Sequence, residues 1–600
     1  MINPVTLIRY YSVYKRYIGR RIIIVFVLSL LATAVEGFGI TLVLPLLASL
    51  SDAFSAESST GGLHKFVDQI VSSLGIAGST VGIILFIAVL IGVKACIRFI
   101  SDSYGTHLTA ELRSEVTGRM FDYYSAMDYS YYTARNTGHF TSILNGQIPQ
   151  LINSFRAYKT LAIATVTTFG YILFAFFINW HFALMACVAG GIVLFLFRAL
   201  NEYTSSLSRQ TANERRELNK LTVQSIQSFK YAASTGSLKP MTHFVKRSIA
   251  LLARYQRNQG FLQAFTAAIR EPISIGLILF ILIIQIAFLD APLAPIFVSL
   301  ILLYRAMGSI LLFQGCIQNF LHDIGSIEMV EKEFSEISKS QEQDGPKQLK
   351  GFHKAITLEN VRFQYKGTST PILRDISITI SARHTIALAG PSGAGKSTLV
   401  DLLTLLLKPT TGSLTIDGHS YADLNKSSWR KQIGYVSQDT VIFDDSICNN
   451  IGLWQGSFEK DPDYRHRVIK AAEKANILEH IESLPEQFQT KVGDRGVRLS
   501  GGQKQRLFIA RELFKEPGLL ILDEATSALD SESEQAIQQS IDRLKGETTI
   551  VIIAHRLSTI KGADYVYVMQ AGKIIEHGPY QDLVEDSSSK LGQMIEMQKL

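Results

Sequence analysis

The sequence has little cysteine, and no two of its cysteines are spaced to share a metal ion. Cys96, Cys187, Cys316 and Cys448 lie far apart in 600 residues and form no CxxC pair. Because zinc sites and disulfide frameworks in small domains need recurring cysteine spacings, neither is indicated. We interpret the four cysteines as small apolar residues.

Charged residues are also scarce, at 18% of the chain, while the mean hydropathy is +0.18. This balance is too apolar for an ordinary soluble protein and too charged for a pure membrane bundle. A membrane half joined to a soluble half gives such an average, and 600 residues exceed the size at which a single core keeps growing. The net charge of +7 comes from basic residues scattered through loops, so nucleic acid is not predicted as a partner.

Six apolar stretches in the first half are candidates for membrane helices, each of which needs about 20 residues. They cover residues 22–50, 81–100, 161–178, 181–200, 273–288 and 293–313. The third and fourth are separated only by Asn179 and Trp180, and the fifth and sixth by residues 290–292, so both pairs form tight hairpins. The sequence predicts a membrane α-helical bundle of six transmembrane helices, with the lipid bilayer as partner.

The distribution of Lys and Arg orients this bundle, because cytoplasmic flanks of membrane spans collect basic residues. The N-terminus and the two long loops after the second and fourth spans hold most of them, whereas residues 51–79 contain only Lys65. Both termini are therefore predicted to be cytoplasmic, in a multi-pass protein of the inner (cytoplasmic) membrane. A secretory signal peptide is the alternative for the N-terminus, but the apolar run is too long and has no small-residue cleavage site.

The pattern changes after a polar segment. Residues 330–352 are rich in Glu, Lys, Ser and Gln and contain the helix breaker Gly345-Pro346, whereas beyond them aliphatic strands alternate with helices. We predict a transmembrane domain over residues 1–329 with two long cytoplasmic loops, a linker over 330–352, and an α/β domain over 353–600.

A phosphate-binding loop is predicted between a strand at 384–389 and a helix at 398–407, the context that such a loop requires. Backbone N–H groups of the glycine loop and the helix N-terminus would surround phosphates. Lys396 would neutralise the β- and γ-phosphates, and the hydroxyl of Ser397 would bind Mg²⁺. The matching residues of the GxxxxGK[ST] pattern are Gly390, Pro391, Ser392, Gly393, Ala394, Gly395, Lys396 and Ser397.

Two later strands end in residues suited to the same chemistry. The run 519–522 is followed by Asp523 and Glu524, and the run 549–554 by His555. Ligands bind at the carboxyl ends of strands in open α/β sheets, so these side chains should face the phosphates. Asp523 would hold Mg²⁺, Glu524 would accept a proton from the attacking water, and His555 would contact the γ-phosphate. An acidic helix start and a structural histidine are the alternatives, which the matching strand positions disfavour.

A second anion-binding surface is predicted where Leu499 is followed by Ser500, Gly501, Gly502 and Gln503 at the start of a helical stretch. Ser500 suits an N-cap, and the two glycines leave backbone N–H groups accessible. Because one loop already binds the nucleotide of this chain, the second surface suggests a partner's ATP.

These motifs resemble the ABC ATPase family, whose signature LSGGQ lies between the phosphate loop and the Asp-Glu strand. The resemblance covers about residues 355–578 and implies a P-loop α/β domain with a helical subdomain, ATP and Mg²⁺ as cofactors, and ATP hydrolysis. It implies that Tyr365 stacks on adenine, Thr398 borders the phosphates, Gln438 contacts Mg²⁺ and Asp530 contacts the partner chain. One departure from the family pattern is Lys491, because the exporter type of this family usually carries Glu at that position.

The first half resembles the exporter type of this family, with six spans ahead of the ATPase domain. This implies a half-transporter that pairs with a second copy, since both half-sites of the chain are intact. Each ATP would lie between the phosphate loop of one chain and the signature of the other. Closure of the two chains around ATP would switch the membrane halves from inward-open to outward-open, and ATP hydrolysis would return them to the inward-open state.

Charges within the spans are candidates for substrate contacts, since they are costly in a bilayer. Glu36 lies in the first span and Arg305 in the sixth, where they form either a mutual ion pair or a substrate site. Lys94 and Arg98 are interpreted as inner-leaflet or snorkelling residues. The segments 36–40 and 304–309 resemble flippases of lipid-linked oligosaccharides, which favours an amphipathic lipid substrate. A peptide or drug exporter and an ATP-gated channel or regulator are the alternatives.

Overall fold

The computed structural model describes residues 4–42, 69, 72–73, 79–178, 180–288, 293–365, 367–523, 531–554, 560–586 and 588–599. The chain divides into two compact units, Met1–Gln341 and Glu342–Leu600. Glu524, Asp530 and His555 lie outside the described residues.

The first unit is helical throughout its described part. Its helices are α1 Pro4–Ile18, α2 Ile22–Thr41, α3 Thr80–Ser125, α4 Tyr129–Thr133, α5 Thr137–Thr141, α6 Ile148–Ile178, α7 Trp180–Leu196, α8 Arg198–Gln227, α9 Phe229–Ser234, α10 Leu238–Phe288, α11 Leu293–His322 and α12 Ile324–Ser338. A short 3-10 turn, Gly19–Arg21, joins α1 to α2, and a π-helical turn, Ser142–Gln147, joins α5 to α6.

The described parts of the predicted spans fall on helices of this unit, whereas residues 43–50 of the first span lie outside the described residues. Several helices continue far beyond the predicted spans. Helix α3 has 46 residues and α10 has 51, so each extends well past the ~30 Å thickness of a hydrocarbon core at about 1.5 Å per residue. By length and composition alone, three stretches of the described helices can cross a membrane, Ser12–Gly39, Thr80–Ser125 and Leu238–Ile281. Ala183–Leu196 and Arg198–Gln227, bent by 41° at their junction, make a fourth if counted together. Helices α6 and α11 occupy the third and sixth predicted spans.

The polar segment predicted as a linker begins later in the structure. Residues up to Ser338 belong to α12, whose apolar face buries Ile327, Val330 and Ile337 within the first unit. The spacing of these residues is helical, and their burial outweighs the polar composition around them. The division between the units accordingly falls after Gln341.

The second unit contains two sheets and the remaining helices. Its strands are β1 Ala355–Phe363, β2 Leu373–Ser381, β3 Thr385–Ala389, β4 Thr411–Ile416, β5 His419–Ser420, β6 Ile433–Val436, β7 Leu519–Asp523, β8 Thr549–Ile553, β9 Tyr565–Gln570 and β10 Lys573–Pro579. Its helices are α13 Lys396–Leu403, α14 Lys426–Arg430, α15 Ile447–Gly452, α16 Pro462–Lys474, α17 Leu478–Glu482, α18 Gly501–Phe514, α19 Ser531–Leu544, α20 Tyr580–Glu585 and α21 Lys590–Lys599. Short 3-10 turns lie at Gln487–Gln489 and Asp494–Gly496.

The larger sheet has the order β10-β9-β3-β8-β7-β6, and all of its neighbouring strands are parallel except β10 and β9. Every residue of β3, β7 and β8 is buried, which explains their uninterrupted aliphatic sequences. The smaller sheet is antiparallel, in the order β2-β1-β4-β5. Because the central strands of the larger sheet are parallel, their carboxyl ends meet at one edge.

Candidate nucleotide site and membrane-domain cavity

The predicted phosphate loop connects β3 to α13, as the sequence indicates. Gly393 and Gly395 have φ angles of +79° and +100°, values that L side chains rarely adopt, and a Cβ on Gly395 would lie 2.8 Å from Leu373 Cδ2. Gly390, Pro391, Ser392 and Ala394 complete the loop, and Lys396, Ser397 and Thr398 form the first turn of α13. Helix α13 therefore starts two residues before the predicted start at 398 and ends at Leu403 instead of at residue 407.

The Lys396 side chain is buried and turned into the loop. Its Nζ donates to the carbonyl oxygens of Gly390, at 2.7 Å, and Pro391, at 3.1 Å. Since an ammonium group has three donor hydrogens, the loop fixes the charge in place beside the positions that phosphate oxygens would take. Ser397 is exposed at the start of the helix.

Asp523 ends β7, beside the carboxyl end of β8, in the same sheet as the loop that follows β3. The Tyr435 hydroxyl, from β6, donates to Asp523 Oδ2 at 3.3 Å. Burial, together with the charge of Asp523, raises the pKa of Asp401 on α13 to about 6. Sequence reasoning missed both Tyr435 and Asp401; the only signal was that each lies within a few residues of a predicted motif.

Negative charge is thus concentrated where Mg²⁺ was predicted. Carboxylate and hydroxyl oxygens are the ligands that Mg²⁺ prefers, and the raised pKa of Asp401 reflects its burial and the nearby charge of Asp523. Gln438 follows β6 and is exposed, at the same edge of the sheet. The residues present therefore fit a divalent ion.

Tyr365 follows β1 in the smaller sheet, with its ring edge-on to Phe363 at a centroid distance of 4.9 Å. The signature residues are at the start of α18. Ser500 Oγ accepts from Gln503 N at 3.3 Å, and Gln503 Oε1 accepts from Ser500 N at 2.9 Å, which is a capping box. Apart from its chain neighbours and the backbone of its own helix, no described heavy atom lies within 4 Å of a Cβ built on Gly501, so this helix start has open space.

A residue that the sequence did not reveal holds the signature helix in place. Arg511, 3% exposed, donates to the Asn450 carbonyl oxygen and side chain and to the Val441 carbonyl oxygen, at 2.6–2.8 Å. These bonds tie α18 to the segment after β6. A basic residue in a helix gives no sequence signal that it is buried.

The first unit contains a cavity of 510 Å³ between α2, α3, α6 and α11. Glu36, predicted as a substrate or ion-pair residue, is the centre of a charged cluster at one end of it. Glu36 Oε1 lies 2.7 Å from Lys94 Nζ and 3.7 Å from Arg305 NH1, and the Tyr171 hydroxyl donates to Glu36 Oε2. We refer to these four residues as the Glu36 cluster.

The cluster changes two of the sequence-based interpretations. Lys94 is the closer partner of Glu36 and does not snorkel away from the cavity, because its side chain is only 24% exposed. Arg305 is the more distant partner, and its side chain is 53% exposed. Because Lys94 is the closer cation to the Glu36 carboxylate, Arg305 can contact a substrate even though it also lies near Glu36. The ion-pair and substrate-contact alternatives for Arg305 are therefore compatible.

Comparison with known proteins agrees with both units. Residues 373–527 match the family described as ABC transporter, and residues 22–309 match the ABC transporter transmembrane region. The heterocyst differentiation ATP-binding protein HepA of Nostoc sp. is 30% identical over 570 residues, 94% of this chain and 91% of that protein. The ATP-dependent lipid A-core flippase of Ralstonia nicotianae is 32% identical over 436 residues, 71% of this chain and 72% of that protein.

Among solved structures, a bacterial Atm1-family ABC exporter with ATP bound superimposes with a TM-score of 0.79 and 24% identity. The match covers 98% of this chain and 99% of that one. At this identity the likeness concerns the fold, a helical membrane domain followed by an ATP-binding domain.

Proposed function

Because this chain belongs to the ABC transporter family, as an exporter-type half-transporter that couples ATP hydrolysis to transport, we propose that it flips an amphipathic lipid. The favoured substrate is a lipid-linked oligosaccharide, and the membrane is the inner (cytoplasmic) membrane, with the ATPase domain on the cytoplasmic side. A flippase acting on lipid A-core is among the relatives, which supports a lipid substrate.

The nucleotide chemistry is assigned to the residues at the carboxyl edge of the larger sheet. Lys396 and the loop from Gly390 to Gly395 bind the phosphates, and Ser397, Gln438 and Asp523 hold Mg²⁺, which offsets the charge developing on the phosphoryl oxygens. Glu524 is the general base and His555 contacts the γ-phosphate; both follow strands that end at this edge. Tyr365 stacks on adenine.

The assembly is a homodimer in which each ATP lies between two chains. Ser500, Gly501, Gly502 and Gln503 bind the nucleotide of the partner copy, and Asp530 contacts that copy. The open helix start at Gly501 supports this assignment, since accessible backbone N–H groups there can receive an anion. Both half-sites are present in one chain, so a second, different chain is not needed for hydrolysis.

The single observation that carries the lipid proposal is the charged cavity of the membrane domain. Four basic and two acidic side chains line it, Lys94, Arg98, Lys159 and Arg305 against Glu36 and Asp102. Charges at membrane depth are costly, so an excess of cations calls for an anionic group to offset it. Arg305 is the exposed member of the Glu36 cluster, and its planar fork of donors suits a phosphate.

The proposal is tested by measuring the ATPase rate of purified protein in nanodiscs against lipid-linked sugars, peptides and dyes. We expect stimulation by a lipid-linked oligosaccharide in the wild type and its loss in Arg305→Gln. Stimulation by peptides or dyes alone would favour the peptide or drug exporter, and no stimulation by any compound would favour the channel or regulator.

A further inference from the structure

The cavity has a second basic position, far from the Glu36 cluster. Lys159 and Tyr171 both line it from α6 and are twelve residues apart, which corresponds to about 18 Å along a helix. Lys159 lies at the end nearer the first predicted cytoplasmic loop, from which α6 emerges. The cavity therefore has basic side chains both at the Glu36 cluster and at Lys159.

Neither acid of the cavity forms an ion pair with Lys159 among the described residues. Glu36 is paired with Lys94 at 2.7 Å, and Asp102 is 3.8 Å from Arg98, one helical turn away on α3. Within the described part of the chain, the Lys159 ammonium forms neither a hydrogen bond nor an ion pair. Its three donor hydrogens are available to a ligand.

The position of Lys159 depends on a glycine of the facing helix. A Cβ built on Gly105 would lie 2.5 Å from Lys159 Nζ and 2.8 Å from its Cδ, so the lysine crosses α3 where that helix has no side chain. Gly105 is buried, and Lys159 is only partly accessible. The absence of a side chain at residue 105 thus lets the ammonium lie against α3 at the wall of the cavity.

A second polar group lies on the same wall without a partner. Ser101, one turn before Gly105 on α3, is 4% exposed and lines the cavity. Its Oγ has no hydrogen-bond partner among the described residues. A buried hydroxyl without a partner is destabilising, and a ligand that accepts its hydrogen bond would remove that cost.

We propose that Lys159 and Ser101 form an anion subsite at the inner end of the cavity, which binds the phosphate of a lipid headgroup on entry. Both groups donate hydrogen bonds, so the subsite suits an acceptor-rich anion. The neighbouring cation Arg98 adds to the positive potential, although Asp102 offsets part of it. This inference rests on the proposed lipid substrate and adds the place where its charge is first received.

The test uses the full-length protein in phosphatidylcholine nanodiscs, with ATPase stimulation normalised to the basal rate of each variant. The probes are polyprenyl phosphate, polyprenol with the same chain, and inorganic phosphate. We expect polyprenyl phosphate to stimulate and polyprenol to do so only weakly. Lys159→Gln should raise the half-maximal concentration of polyprenyl phosphate about 10-fold, as expected for one lost charge-assisted hydrogen bond.

Two further variants separate the subsite from charge and folding effects. Gly105→Ala keeps the lysine but displaces it, so it should raise the same concentration by a smaller factor. Arg156→Gln removes an exposed cation from the same helix outside the cavity and should leave the concentration within about twofold of wild type, a change worth only about 0.4 kcal/mol.

The outcomes are distinct. If polyprenyl phosphate stimulates the wild type but Lys159→Gln and Gly105→Ala respond like Arg156→Gln, the subsite is refuted and the lipid function stands. Stimulation by inorganic phosphate at the same concentration would overturn the assignment to a lipid headgroup. If polyprenyl phosphate does not stimulate the wild type, the proposed lipid function itself fails.

Discussion

The Glu36 cluster predicts unequal effects of removing its two cations. We expect Lys94→Gln to destabilise the membrane domain more than Arg305→Gln does. At an effective dielectric constant of about 20, Coulomb's law gives ~6 kcal/mol for the 2.7 Å pair with Lys94 and ~4–5 kcal/mol for the 3.7 Å pair with Arg305. Neither figure includes the free-energy cost of desolvating the charges.

The different solvent exposure of Lys94 and Arg305 widens the difference between the two pair energies. Because Arg305 is 53% exposed and lines the cavity, water in the cavity screens its attraction to Glu36, and a net value of about 1 kcal/mol or less is expected, as for surface pairs. Lys94 is 24% exposed and Glu36 11%, so after desolvation their coupling should remain about 2–3 kcal/mol. This corresponds to a shift of several degrees in apparent melting temperature, at about 2–4 °C per kcal/mol.

The assay is thermal unfolding of both single variants and of the doubles with Glu36→Gln. Glu36→Gln combined with Lys94→Gln should recover most of the stability lost in Lys94→Gln, because no charge is then left without a partner. Arg305→Gln should melt within about 4 °C of wild type. An equal or larger loss for Arg305→Gln, rescued by Glu36→Gln, would refute this ranking and make Arg305 a structural partner of Glu36.

Three further predictions concern the ATPase domain and the assembly. Glu524→Gln should bind ATP but hydrolyse it about 10²–10⁴-fold more slowly, measured as ATPase rate and trapped nucleotide, and activity above about half of wild type would remove Glu524 from the role of general base. The purified protein should have the mass of two copies in detergent or nanodiscs, and a strict need for a different chain before ATPase appears would contradict the homodimer. The raised pKa of Asp401 means that the folded state keeps a proton which the unfolded state releases, so nucleotide-free protein should lose stability as the pH rises from about 4 to 6. Asp401→Asn should flatten that part of the melting profile relative to wild type, and parallel profiles would count against the shift.

The sequence was sufficient to predict the ATPase elements whose local signals are strong. The aliphatic runs predicted as strands are β3, β7 and β8 in the structure, and their bounds differ from the predicted ones by at most one residue. Strands buried on both faces consist of such runs, so the sequence itself marks their bounds. The N-cap role of Ser500 was also confirmed, since a capping box depends on residues three apart.

Features that depend on long-range packing were not predictable in this way. Nothing near Lys94 indicates that it faces Glu36 on another helix, and nothing near Lys159 indicates that it crosses Gly105. The polar composition of residues 330–338 suggested a linker, whereas the burial of one helical face decides their structure. Composition is local, and these contacts join residues that are distant in sequence.

The central claim, ATP-driven flipping of an amphipathic lipid, is tested most directly in proteoliposomes that contain a labelled lipid-linked oligosaccharide. The measurement is the fraction of its sugar that becomes accessible to an impermeant reagent on the opposite side after ATP and Mg²⁺ are added. We predict time-dependent transfer by the wild type and none by Glu524→Gln. Equal transfer with and without ATP, or ATP-driven transport of a peptide or dye but not of the lipid, would contradict the account.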